Sequence, residues 1–248
     1  MKRIYLLCFL SVLCLTAFSQ NKMRPVEELI NTKEPGWVVV KGWIDSATNK
    51  VEILPCNQEK ASDALYKTQV TTRSPMGAIV YSTGGLLIDN GWIRILGSGH
   101  AKLNRSLPDW NKGKTFAEFG QRSPYLLVAD DAAGGFFAIN GGGLGSDLGK
   151  VYYLSPDDLK WENLDMTYSD FLWFCFTGDL NKFYTGLRWT NWTQEIAKLD
   201  GNKAYSFYPF LWSAEGKDID KNSRKPVPVE EVFILLMSTR LQLGEDSK

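Results

Sequence analysis

The clearest alternation of apolar and polar residues lies between positions 86 and 96. Two apolar runs, residues 86–89 and 92–96, flank Asn90-Gly91. This dipeptide favours a two-residue hairpin turn, because both central positions need positive φ. The turn predicts a hairpin with these facing residues: Asp89 with Trp92, Ile88 with Ile93, Leu87 with Arg94, and Leu86 with Ile95.

The two faces of this hairpin differ sharply in polarity. Side chains alternate along a strand, so one face is wholly apolar and is predicted to lie in the core; it carries Leu86, Ile88, Ile93 and Ile95. The other face is mixed and carries Leu87, Asp89, Trp92 and Arg94.

Further strands are predicted downstream of the hairpin, at residues 125–129, 136–139 and 151–154. Gly-rich and Asp-rich connectors separate them, and no long helical crossover intervenes. Short connections of this kind favour antiparallel neighbours. The pattern therefore predicts a meander-like antiparallel sheet of about five or six strands.

Helical patterns flank this strand region on both sides. Three short helices separated by breaks are predicted between residues 24 and 69, one helical turn near 116–119, and a final helix from about 228 to 241. Thr167 and Asp170 resemble a capping box that opens an apolar helix ending at Gly178. The predicted class is α+β, with helices from the N-terminal and C-terminal parts packing on the sheet.

The N-terminus has the pattern of a secretory signal. Lys2 and Arg3 precede an apolar run over residues 4–18, and Ala17 and Ser19 occupy the small positions of a cleavage site. The run is shorter than the roughly 20 residues of a membrane helix, and no later segment qualifies. We predict a signal peptide over residues 1–19, then an exported domain over residues 20–248, periplasmic or secreted. Residues 201–248 belong to that domain or form a C-terminal appendage.

The balance of charges disfavours one class of partner, and the number of cysteines limits the possible disulfides. Loss of Lys2 and Arg3 reduces the basic residues from 28 to 26, against 28 acidic ones. A nucleic-acid partner is not expected, because such binding needs an excess of positive charge. Cys56 and Cys175 remain after cleavage; they form one disulfide in an oxidising compartment, or stay as two free thiols.

Reactive side chains are scarce, so no catalytic, cofactor-binding or metal-binding residues are predicted. His100 is the only histidine, which leaves too few ligands for zinc. The Gly-rich stretch at 141–149 lacks the spacing of a phosphate-binding loop, and residues 218–229 fail the calcium-loop pattern.

Asp89, Trp92 and Arg94, on the mixed face of the hairpin, are the candidate interaction surface; the alternative is that a helix or residues 97–122 cover them. Asp130 and Asp131, at the end of a strand, are added to this surface. Paired carboxylates can bind a cation or transfer protons, but aspartate also simply suits a tight turn.

Several longer stretches resemble one family. They include residues 24–30, 84–97, 105–111, 129–142 and 151–157. Through them the chain resembles the bacterial domain-of-unknown-function family numbered 2625, which implies no established activity. More distantly, the order of elements resembles the SUKH superfamily, which includes immunity proteins that bind toxins. That likeness implies binding to a partner protein, although such immunity proteins are cytoplasmic.

These observations lead to one functional hypothesis and one alternative. The chain is predicted to be a non-catalytic binding module of the bacterial envelope, without cofactor, that recognises a protein or glycan. The alternative is an envelope enzyme that works through carboxylates, or a glycan-binding protein.

Overall fold

A seven-stranded antiparallel sheet forms the centre of the protein, and its spatial order follows the order of the chain. The computed structural model describes residues 23–244; the predicted signal peptide lies outside them. The strands of this sheet are β1 Val51–Pro55, β2 Thr83–Ile88, β3 Ile93–Leu96, β4 Tyr125–Asp131, β5 Phe136–Asn140, β6 Lys150–Leu154 and β7 Trp161–Thr167. The predicted antiparallel meander and the α+β class are confirmed.

The predicted hairpin is present in the predicted register. Ile88 lies opposite Ile93, and Leu87 lies opposite Arg94. Asn90 and Gly91 have φ of 62° and 91°, and the Trp92 amide donates to the Asp89 carbonyl at 3.2 Å. These are the features of the turn that Asn-Gly favours. Asp89 and Trp92 belong to the turn, so the regular strand pairing ends at Ile88 and Ile93.

Nine α-helices lie along the described part of the chain, besides a short 3₁₀ turn at Asp89–Gly91. They are α1 Val26–Leu29, α2 Gly36–Asp45, α3 Gln58–Thr68, α4 Pro75–Ser82, α5 Leu107–Asn111, α6 Tyr168–Thr177, α7 Leu180–Phe183, α8 Trp192–Ile196 and α9 Val229–Leu243. None of the described helices combines the length and the apolar character needed to cross a membrane.

Helix α6 packs on the same face of the sheet as the apolar side of the hairpin. Phe171 of α6 lies 4.8 Å from Phe137 of β5, measured between ring centroids. The strand register puts Phe137 on the same face as Ile95, through Ala129 between them. The apolar side chains predicted for this face of the hairpin are fully buried, as expected for the main core.

The C-terminal segment packs on the opposite face. Strands β8 Lys203–Tyr208 and β9 Ser223–Pro228 form a separate two-stranded sheet. Phe233 of α9 lies 5.1 Å from Phe136 of β5, and the Tyr205 amide donates to the Ala132 carbonyl at 2.8 Å. The segment after Gly201 is thus joined to the main sheet by ring packing and backbone hydrogen bonds.

Some predicted elements need correction. The sheet has seven strands rather than five or six, because β1 and β7 were not predicted. Residues 116–119 do not form a helical turn, whereas α5 lies a few residues earlier. Helix α4 was also missed, although Ser74 caps it by accepting from the Gly77 amide and Pro75 occupies its first turn.

The capping box at the start of α6 is confirmed. The Thr167 hydroxyl accepts from the Asp170 amide, and Asp170 accepts from the Thr167 amide at 3.0 Å. The Thr167 hydroxyl and the Thr167 amide both donate to the Asp170 carboxylate, and these two hydrogen bonds lower the pKa of Asp170. Gly178 follows the last residue of the helix, as predicted.

We expect Thr167→Ala to lower the free energy of unfolding by about 1 kcal/mol, because the Asp170 amide loses its acceptor. Urea unfolding followed by circular dichroism measures the change. Thr177→Ala is the control at the other end of α6, since the Thr177 hydroxyl only donates to a carbonyl of its own helix, that of Trp173. Equal losses in the two variants would contradict a capping role for Thr167.

Candidate functional site

A fully buried carboxylate, Asp130, lies between two arginines on the sheet face that the C-terminal segment covers. Arg94 Nη2 is 2.7 Å from Asp130 Oδ1, and Arg105 Nη1 pairs with Asp130 Oδ2. The exposed fractions of the three side chains are 0% for Arg94, 1% for Asp130 and 9% for Arg105. Burial lowers the pKa of Arg94, and the neighbouring Asp130 opposes that shift. We call Arg94, Asp130 and Arg105 the arginine cluster.

The neighbouring carboxylate, Asp131, belongs to the other face of the strand and shapes a turn. Its Oδ1 accepts from the amides of Ala133 and Gly135, each at 2.9 Å. Its Oδ2 accepts from the Tyr153 hydroxyl at 2.7 Å. Burial raises the pKa of Asp131, and these hydrogen bonds oppose the shift. Of the two roles weighed for Asp131, the turn role fits its surroundings.

Trp92 lies in an aromatic cluster at the end of the hairpin. Its ring centroid is 5.2 Å from that of Tyr184, 5.6 Å from that of Trp189 and 5.0 Å from that of Trp192. The guanidinium of Arg188 lies over Trp92 at 4.8 Å and forms an ion pair with Asp89 at 2.6 Å.

The predicted interaction surface is therefore not an exposed surface. Trp92, Arg94, Asp130 and Asp131 are buried, and Asp89 is half-buried against Arg188. The alternative, in which residues 97–122 cover this face, holds in part, because that region supplies Arg105. The rest of the cover comes from residues 184–192 and from the C-terminal segment.

An open cleft of about 380 Å³ lies beside the arginine cluster and shares Arg105 with it. The lining residues are Asn104, Arg105, Asp109, Trp110, Lys114, Asn202, Pro228, Val229 and Glu230. We call this the 105–230 cleft.

Two cations of the 105–230 cleft are held against one indole ring. The Arg105 guanidinium is 4.7 Å and the Lys114 ammonium is 4.1 Å from the Trp110 ring centroid. Such cation–π contacts favour a fixed position of the charge. Lys114 also pairs with Glu230 at 3.0 Å, and its side chain is only 13% exposed.

Local hydrogen bonds hold the walls of the cleft in place. The side-chain amide of Asn111 donates to the Leu127 carbonyl and accepts from the Leu127 amide, both at 2.8 Å, which fixes α5 to β4. Asn202 accepts from the Asn104 amide at 2.7 Å through its side chain, and from the Val229 amide at 3.0 Å through its carbonyl. The two walls are therefore tied together by one residue.

A second groove, of about 430 Å³, lies near the hairpin turn and is less well defined. Its lining includes Glu52, Lys102, Lys198 and Asp200. The Glu52 and Lys102 side chains form a direct ion pair at the surface and are 45% and 59% exposed. Exposed charge pairs of this kind hold their geometry weakly. The two cations of the 105–230 cleft are far less exposed, at 9% for Arg105 and 13% for Lys114.

Other residues singled out in the sequence lie away from the cleft. His100 Nδ1 accepts from the Lys102 amide in a short turn. Asn140 organises the Gly-rich loop by accepting from the Gly142 and Leu144 amides. Among residues 23–244, no three His, Cys, Asp or Glu side chains are grouped as a metal site.

Cys56 and Cys175 are both free thiols in this structure; Cys56 is half-buried and Cys175 is buried. Burial raises the pKa of the Cys175 thiol far above its usual range.

Sequence reasoning missed most of the 105–230 cleft. Arg105 and Trp110 lie in a stretch that carries the family resemblance, which is the one signal that pointed toward it. Asn202 and Glu230 lie 97 and 125 positions after Arg105 in the chain, and no local pattern connects them with Arg105.

The fold and the cleft define an α+β protein with a meander sheet and a polar cleft on one sheet face. The chain belongs to the family described as "Protein of unknown function DUF2625", whose model matches residues 26–232. This confirms the resemblance to that family.

Two relatives cover nearly the same span. An uncharacterised protein of Haemophilus influenzae is 46% identical over 208 residues, covering 84% of this chain and 91% of the relative. The putative uncharacterised protein YbfG of Escherichia coli K12 is 46% identical over 211 residues, covering 85% and 94%. No solved structure matches the chain, so the likeness to the SUKH superfamily stays a prediction.

Proposed function

We propose that this protein is an exported, non-catalytic binding module whose ligand occupies the 105–230 cleft. The observation that carries the proposal is the pair of cations held over Trp110, at 4.7 and 4.1 Å from its ring centroid. Donors held in position before binding lose little conformational freedom when a ligand arrives. The ligand is a small molecule or the end of a larger glycan or protein, since the cleft is about 380 Å³.

The pairing of the carboxylates supports binding over carboxylate-based catalysis. Asp130 is neutralised by two arginines, and Asp131 is bound to Tyr153 and to two amides. In the cleft, Asp109 pairs with Lys67 at 3.2 Å and Glu230 pairs with Lys114. Acid–base catalysis by two carboxylates needs both to converge on one substrate bond, and these four are each engaged elsewhere. These pairings favour the binding module over the enzyme alternative.

Export is part of the proposal and rests on the N-terminal pattern of Lys2, Arg3 and the apolar run that follows. We expect the full chain, expressed in a Gram-negative host, to be recovered from the periplasm or medium with residues 1–19 removed. Intact-mass measurement checks the cleavage. Recovery of the uncleaved chain in the cytoplasm would refute export but would leave the cleft proposal standing.

Binding is tested by thermal-shift screening of the exported protein against short peptides, neutral sugars and sugars that carry acidic groups. We expect at least one compound to raise the melting temperature of the wild type and of Lys102→Ala, but not of Lys114→Ala. Lys102 lines the second groove and serves as the matched control. If no compound shows a shift that depends on Lys114, the proposed function is wrong.

A further inference from the structure

The arginine cluster has a net charge of +1, because two arginines pair with one aspartate. Arg94 and Arg105 both pair with Asp130, whereas Asp131 is bound to Tyr153 and to backbone amides on the other face. Buried charges are normally balanced by partners, because desolvation of an unpaired ion is costly. The excess positive charge lies where Arg105 lines the 105–230 cleft.

Arg105 also has an unused donor. Its Nε has no hydrogen-bond partner, although its side chain is about nine-tenths buried. Trp110, in the same cleft, has a buried Nε1 without a partner. Buried donors of this kind are usually satisfied, so both residues keep unused hydrogen-bonding capacity in the wall of the cleft.

The start of α9 adds further donors. The helix begins at Val229 after Pro228, which makes no side-chain cap hydrogen bond. The first amides of a helix lack partners within the helix. The Val229 amide is bound to the Asn202 carbonyl, and Pro228, Val229 and Glu230 line the edge of the cleft. Helix N-termini of this kind favour anions.

A carboxylate of the protein itself, that of Glu230, already lies in the 105–230 cleft. Glu230 pairs with Lys114 at 3.0 Å; the Lys114 side chain is 13% exposed, whereas that of Glu230 is 50% exposed. Glu230 can therefore turn toward solvent while Lys114 stays in place. Its carboxylate is a resident competitor for any incoming anion.

From these observations we propose that the 105–230 cleft recognises its ligand through an oxyanion, a carboxylate or phosphate carried by a small molecule. The oxyanion binds Arg105 and the first amides of α9, and it takes the place of Glu230 at Lys114. The cleft is larger than a lone phosphate, so the rest of the ligand lies beside Asn104 and Asn202. This inference rests on the proposed function and names the chemical class of the ligand.

The test compares three probes that share one sugar body: D-glucose, D-glucuronate and D-glucose 6-phosphate. Isothermal titration of the exported protein at low salt is expected to show that at least one acidic probe binds about ten-fold more tightly than glucose. Comparison of the two acidic probes distinguishes carboxylate from phosphate. Equal binding of all three, or binding of none, would overturn the oxyanion proposal.

Two variants are expected to change this binding in opposite directions. Arg105→Gln is expected to lower the affinity for the acidic probe about ten-fold, because it removes a donor. Glu230→Gln is expected to raise that affinity several-fold, because it removes the competing carboxylate. Arg105→Gln leaves Arg94 and Asp130 as a balanced pair, so the fold is retained; if it does not fold, Lys114→Gln replaces it. A purely structural role for these residues predicts no gain in Glu230→Gln, and absence of that gain counts against the proposal.

The outcomes separate this inference from the proposed function. A neutral compound whose effect depends on Lys114 would leave the binding module standing and refute the oxyanion. If no compound depends on Lys114, both fail.

Discussion

Asp130→Asn is expected to lower the free energy of unfolding by about 3–5 kcal/mol, the usual cost of removing one partner from a buried ion pair. The variant leaves the guanidinium groups of Arg94 and Arg105 without a counter-ion, and Arg94 is fully buried. Asparagine keeps the size of the side chain, so the loss reports charge rather than a cavity. Urea unfolding followed by circular dichroism gives the value.

Two further variants test this explanation. Asp45→Asn removes a carboxylate from an exposed i, i+4 pair with Lys41 and should cost less than about 0.5 kcal/mol. Adding Arg94→Met to Asp130→Asn should recover part of the loss, because it removes the unpaired buried charge. If the double variant is no more stable than Asp130→Asn alone, charge imbalance is not the cause.

The parts of the fold that could be predicted from the sequence are those set by neighbouring residues. Asn90-Gly91 determines its turn because glycine and asparagine accept positive φ more readily than other residues. The register of the hairpin then follows from the turn. Likewise, Thr167 and Asp170 are three residues apart, so the start of α6 could be derived from the sequence alone.

The missed strands have weaker local patterns. In β7 the register shifts within residues 163–166, opposite Val151 and Tyr152, and Asp165 has φ of 55°. A bulge of this kind breaks the alternation that marks a strand. Strand β1 is only five residues long and ends at Pro55, so it read as a break between helices.

The burial of the mixed hairpin face could not be derived, because its partners are distant in sequence. Asp130 pairs with Arg105, 25 positions away, and Asp89 pairs with Arg188, 99 positions away. A face with Asp89, Trp92 and Arg94 looks amphipathic, and alternation does not reveal whether water or protein covers it. The same limitation hid the 105–230 cleft, since Asn202 joins its walls only in the folded chain.

Trp92 connects the central hairpin to the segment that covers it, and Trp92→Ala is expected to cost about 3–5 kcal/mol in free energy of unfolding. The indole is fully buried, and three aromatic rings lie within 5.6 Å of it. Its removal leaves a cavity and takes away the ring beneath the Arg188 guanidinium. The Asp89–Arg188 ion pair then loses part of its support, so local opening of residues 184–192 should increase.

Trp173→Ala is the matched control, because Trp173 lies in α6 and is 45% exposed. It should cost about 1 kcal/mol or less, since little buried surface is lost and alanine favours a helix. Urea unfolding followed by far-ultraviolet circular dichroism compares the two without relying on tryptophan fluorescence. Hydrogen exchange should show faster amide exchange at residues 184–192 in Trp92→Ala alone. Similar unfolding energies for the two variants would mean that the aromatic cluster does not fasten this segment to the sheet.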